Sequence, residues 1–204
     1  MFRKQVDVLK EFFKQSKKYM EIAKVGEIAR RYFVLNAFDG ALTVLGIMMG
    51  SYLVGVKDPH IIVGAAFGAC LAMGISGFWG AYMAEKAERT RALKDLESAL
   101  FMDLKNTVLA KASKIATLWI AFVDGISPSV IALTAVIPYL LSHINLINFE
   151  TAFYTSLTLI LAMLFVLGAF LGKISRENIV IHGLKMVIVG LAVAAIFLLL
   201  NLTI

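Results

Sequence analysis

Of the 204 residues, 60% are hydrophobic and only 17% charged, which excludes an ordinary water-soluble domain. Twenty Lys and Arg against 14 Asp and Glu give a net charge of +6, but the charges crowd into residues 1–31 and 85–114 and leave long apolar stretches nearly bare. Most of the chain therefore has lipid as its solvent, and the positive surplus is read as attraction to anionic lipid headgroups, with no nucleic-acid partner.

In chain order, residues 1–31 set Val6, Leu9, Phe13 and Met20 among nine basic and four acidic residues, the pattern of an amphipathic helix lying on a membrane surface. No short apolar core followed by a cleavage site precedes the first span, so none of this segment is expected to be removed. Apolar runs of spanning length follow near Tyr32–Val56 and Ile61–Ala84, a first transmembrane hairpin within residues 32–84. Residues 85–114 form a charged connection, in which Leu93, Leu96, Leu100, Leu104 and Val108 predict one apolar stripe along a helix over 85–112. A second hairpin, residues 115–172, holds spans near Ile115–Leu141 and Thr151–Gly172, and residues 173–204 hold a loop and a fifth span near Ile179–Leu200. The fold class is thus an all-α integral membrane protein with five transmembrane helices and cytoplasmic amphipathic helices.

Lysine and arginine give this array a direction. Nine precede span one, seven lie between spans two and three, two lie between spans four and five, and Lys185 follows just inside span five, while the opposite side holds only Lys57. By the positive-inside rule the N-terminus is cytoplasmic and the C-terminus outside.

An ionisable group within hydrocarbon costs at least about 2.5–3.5 kcal/mol, so it faces a cavity, a partner or an ion path. Asp39 and Asp124 are the acids within the spans. Asn36, Asp39 and Thr43 share one helical face that leads to Gly46 and Gly50, a narrow polar track. Asp124 is followed by Gly125, Ser127 and Pro128, and its alternative role is to satisfy a helix weakened by the proline. Phe38-Asp39-Gly40 and Val123-Asp124-Gly125 also occupy corresponding places in spans one and three. With the likeness of Gly80-Ala81-Tyr82-Met83 to Gly168-Ala169-Phe170-Leu171, they suggest two parallel hairpins plus a fifth helix.

Methionines at 48, 49, 73, 83 and 163 offer soft thioether sulfur, which beside carboxylate suits a borderline divalent ion such as Fe2+ better than Mg2+, although most such residues simply pack. Glu85, Glu88 and Asp95 lie on one side of the charged helix and could gather a divalent cation, or be salt-bridged by Lys86, Arg89 and Arg91. His182 has no companion at metal-ligand spacing, and Cys70 lies in a run of small residues; both read as structural. The pairs Gly46/Gly50, Gly64/Gly68 and Gly168/Gly172 have the spacing that lets membrane helices pack closely, within one chain or between two. No nucleotide-binding loop, zinc-hydrolase motif or nucleophile elbow occurs, so an enzyme is not expected.

Three stretches together resemble the vacuolar iron transporter family: FDGALTVLGIMMG at Phe38–Gly50, SGFWGAYMAEKAER at Ser76–Arg89 and GLKMVIVGLAVAA at Gly183–Ala195, with Pro138 late in span three. The resemblance implies five spans, a cytoplasmic N-terminus, and export of Fe2+, often also Mn2+, from the cytoplasm in exchange for protons. It also implies a homodimer with the ion path between helices, and no bound cofactor beyond the transported ion. The family's span-one aspartate carries over to Asp39. A methionine and a glutamate of the family's span-two pattern are replaced by Gly77 and Ala81, and the insert between spans two and three is short. Asp39, Met83, Glu85 and Glu88 are the resulting candidate metal contacts, with the two glutamates standing in for the lost carboxylate. Asn36, Asp39, Thr43 and Asp124 are the candidate ion pathway. The plasma membrane of a prokaryote is the expected location. A non-transporting membrane protein that binds lipid or a protein partner, and a transporter of another substrate, are the competing readings.

Overall fold

A computed structural model describes residues 20–21 and 25–201. Among them are five helices and no strand: α1 (Val25–Leu53), α2 (Pro59–Leu100), α3 (Val108–His143), α4 (Phe149–Ser175) and α5 (Ile179–Asn201). All five are long and apolar enough to cross a membrane. The proposed surface helix over residues 1–31 lies mostly outside the described residues. Its last part, Val25–Arg31, belongs instead to α1, because Val25 and Ala29 are buried against Ala116 and Ile120.

The charged connection also differs from expectation. α2 continues without interruption past Ala84 to Leu100, since the sequence beyond Gly80 has no glycine or proline and is rich in strong helix formers. The helix then stops seven residues before α3, so Leu104 and Val108 do not continue the stripe of Leu93, Leu96 and Leu100. Phe101 takes a left-handed conformation (φ 52°) and the Met102 amide bonds back to the Glu97 carbonyl. The Glu97 carboxylate accepts the Leu104 amide at 2.9 Å, and Asp103 accepts the Lys105 amide at 2.9 Å. That second bond chiefly holds the Asp103 carboxyl below its ordinary value. Thr107 caps α3, its Oγ1 accepting the Ala110 amide.

The chain divides into two compact units, Met1–Phe33 with Ser76–Gly125, and Val34–Ile75 with Ile126–Ile204. In the first, Val25, Ala29, Ala116 and Ile120 form a small core to which Ile28, Tyr32 and Val123 are added. The second has the larger core. Val44, Leu45 and Met48 of α1, Ile62 and Ala66 of α2, Ala132, Ala135 and Tyr139 of α3, and Ile160 and Leu164 of α4 are all wholly buried in it. Tyr52 and Phe153 stack at 4.2 Å in the same unit.

Within the second unit the helix ends are closed locally. Gly55 (φ 76°) ends α1, with Val56 and Gly55 amides bonding to the Ser51 and Tyr52 carbonyls. Asn145 (φ 59°) ends α3 in the same way, and Asn148 caps α4 by accepting the Thr151 amide at 2.7 Å. α4 and α5 form the tightest pair: a Cβ built on Gly168 would stand 2.3 Å from the His182 carbonyl oxygen. Gly168/Gly172 therefore serves packing inside the chain, and Gly46/Gly50 faces the Phe197 ring, whereas Gly64 and Gly68 have nothing within 4 Å among the described residues.

Candidate functional site

In the second unit, α1 carries Asn36, Asp39 and Thr43 along one side. Asn36 and Thr43 are half-buried, and Asp39 is exposed. Its neighbour Gly40 explains the orientation. A Cβ on Gly40 would lie 2.7 Å from the backbone of Pro128, so α1 turns its glycine against α3 and the adjacent aspartate, about 100° around the helix, outward. One turn beyond Asp39, the Thr43 hydroxyl donates to the Met73 sulfur at 3.4 Å. An exposed aspartate thus lies one turn from a threonine bonded to a thioether, within the apolar stretch of α1. Met48 and Met49, by contrast, are buried in the core and only pack.

In the first unit, Gly77, Ala81, Glu85 and Arg89 succeed one another at intervals of four along α2. Gly77 lies against Asp124 of α3, where an added Cβ would stand 3.1 Å from the carboxylate Oδ2. Asp124 is 3% exposed, Ala81 is buried, and Glu85 is 9% exposed with its Oε2 accepting from Arg89 Nε at 3.1 Å. Tyr32 of α1 packs on the small core of the same unit. The helix is unbroken at Pro128, so Asp124 does not sit at a helix end.

The other candidates are not gathered here. Glu88 and Asp95 are exposed, and Met83, two residues from Glu85 and half-exposed, occupies a different face of α2. Among the described residues no three His, Cys, Asp or Glu side chains converge as a metal-binding group. His182 bonds to Glu177 at the α4–α5 turn, and Cys70 is buried in the core.

Two comparisons bear on what this arrangement is for. The model of the VIT family matches residues 94–201. An uncharacterized protein of the archaeon Methanocaldococcus jannaschii is 37% identical over 172 residues, 83% of this chain and 86% of that protein. The chain belongs to the VIT family. Members of the VIT family are transporters rather than enzymes, and membership makes divalent metal transport the kind of function to consider, in an integral membrane protein. The VIT match begins within α2, beyond Asp39, Met73 and Glu85, so the reading of those residues depends on their geometry.

Of the methionines at 48, 49, 73, 83 and 163, it is Met73, and not the candidate contact Met83, that meets Thr43. Met73 is four residues before Gly77 and therefore on the same side of α2, one turn from the position at which the family resemblance implies a methionine. That spacing was the available signal.

Proposed function

We propose that the chain exports Fe2+, and also Mn2+, from the cytoplasm in exchange for protons, as a homodimer in the plasma membrane of a prokaryote with its N-terminus cytoplasmic. The observation that carries this reading is the Asp39 carboxylate exposed on a spanning helix, one turn from the Thr43 hydroxyl and its bond to Met73 sulfur. Carboxylate, hydroxyl and thioether together suit a borderline divalent ion, and a charge on the outward face of an apolar helix calls for a covering partner or an ion. Exposure of Asp39 and of Gly64 and Gly68 supports a second copy as the cover. Asp39 and Met73 are assigned the ion. Buried Asp124 is assigned the proton, and Glu85 and Glu88 collect ions at the cytoplasmic mouth, Glu88 being the more accessible because Glu85 is held by Arg89.

The test is flux into vesicles that enclose an iron-sensitive dye, with the cytoplasmic face of the reconstituted protein outward. The native chain should pass Fe2+ faster with an opposing proton gradient, and Asp39→Ala should abolish entry while leaving folding intact. Undiminished entry through the variant rules out the assigned site. No entry of any divalent ion through the native chain favours a non-transporting role.

A further inference from the structure

A second feature of the first unit adjoins Glu85 on the side of its partner Arg89. α2 and α3 leave between them a cavity of about 330 Å3. Lys86, Arg89 and Lys114 supply its cations, and Thr90, Ser113 and Thr117 its hydroxyls. Among the described residues Glu85 is the carboxylate bonded to this group, and it takes Arg89 Nε. Arg89 Nη2 is buried and has no hydrogen-bond partner among the described residues. A buried guanidinium N–H without an acceptor is costly, and a fork with one side already filled is shaped to receive an oxyanion on the other.

The cavity's place along the helices narrows the ligand. Lys86 and Lys114 mark the points where α2 and α3 pass from apolar to charged sequence. Just inside that level stand the protein's two tryptophans, Trp79 and Trp119, 61% and 46% exposed, as in the aromatic belt of a membrane interface. Trp79 lies 5.8 Å from the ring of Tyr82, which walls the cavity, and Lys86 Nζ stands 5.4 Å over the same ring. Leu118, also on the lining and exposed, continues the wall toward the apolar side. A cationic, hydroxyl-lined pocket with an apolar rim at this depth is matched to a phosphate ester whose tail lies in the bilayer. Beyond it, Arg91 and Lys94 extend the positive surface along α2.

We propose that this cavity binds a phosphate-bearing anion, with Arg89 Nη2 and the Lys86 and Lys114 ammonium groups as donors. An anionic phospholipid headgroup and a free phosphate are the two sources of that chemistry. The test uses the full chain, delipidated in phosphate-free detergent solution, titrated with phosphatidylglycerol or phosphatidylcholine and followed by native mass spectrometry. A parallel arm follows thermal protection by inorganic phosphate. Phosphatidylglycerol should be retained about tenfold over phosphatidylcholine, and Lys86→Gln and Lys114→Gln should each weaken retention about fivefold, as expected for a lysine at an anionic surface. Lys57→Gln, at an exposed position in the other unit, should change nothing. Protection by phosphate that is lost in the same two variants, without lipid selectivity, assigns the site to the free anion. Equal retention of both lipids with no phosphate protection, or a double lysine variant that binds as the native chain does, overturns the proposal.

Discussion

Asp39 and Asp124 share the same local sequence, an apolar residue before and a glycine after, yet one is exposed and the other is 3% exposed. The difference is made by which member of the Asp-Gly pair the neighbouring helix admits. At Gly40 it is the glycine that meets Pro128, and the acid is turned out. At Asp124 the acid itself is turned in, and the room for it is given by Gly77 on the facing helix. A repeated motif therefore does not imply a repeated environment, and the two aspartates should answer differently to the same substitution.

The largest effect should come from Asp39→Ala: a loss of at least about 100-fold in Fe2+ entry, equivalent to about 2.7 kcal/mol, with an unchanged melting temperature because the side chain is exposed. Next is Gly40→Ala, whose new methyl would meet backbone, not a flexible side chain; unfolding in detergent should show a loss of about 1–3 kcal/mol. Asp124→Ala should cost about 1–3 kcal/mol of stability, since it takes a buried polar group from whatever it bonds. If Asp39→Ala proves the destabilising variant and Asp124→Ala the thermally silent one, burial does not separate the two aspartates. Met73→Leu keeps the packing volume and removes the sulfur; the Fe2+ affinity read from the concentration dependence of flux should fall about tenfold, with stability changed by less than about 1.5 kcal/mol. Smallest is Gly77→Ala, where the added methyl needs only a few tenths of an ångström from the Asp124 side chain. A change within about 1 kcal/mol is expected by calorimetry, part of it offset by the better helix propensity of alanine.

The five helices of spanning length were legible because apolar length is a one-dimensional property that does not depend on neighbours. Helix ends were less so. Nothing in the composition of residues 85–112 marks Phe101 as left-handed, because that stop depends on Glu97 reaching both the Met102 and Leu104 amides through different groups. The Asn36, Asp39 and Thr43 face was readable from spacing alone. That Met73, not Met83, lies beside it was not, since a helical pattern gives the face of one helix and not the rotation of its neighbour. The Glu85–Arg89 pair was readable as an i,i+4 contact, but its burial was not.

The α4–α5 turn has a consequence for how the chain is made. Only Arg176, Glu177 and Asn178 separate the two helices, and three residues reach about 10 Å. The hydrocarbon layer is about 30 Å thick, so the nascent fifth helix cannot cross independently of the fourth. It must fold back from the side at which α4 emerges, and the bare edge of Gly168 offers it a seat as it does so. α4 and α5, about the last quarter of the chain, therefore form one helical hairpin. The direction of α5 is set by that of α4, the turn between them being too short to cross the layer.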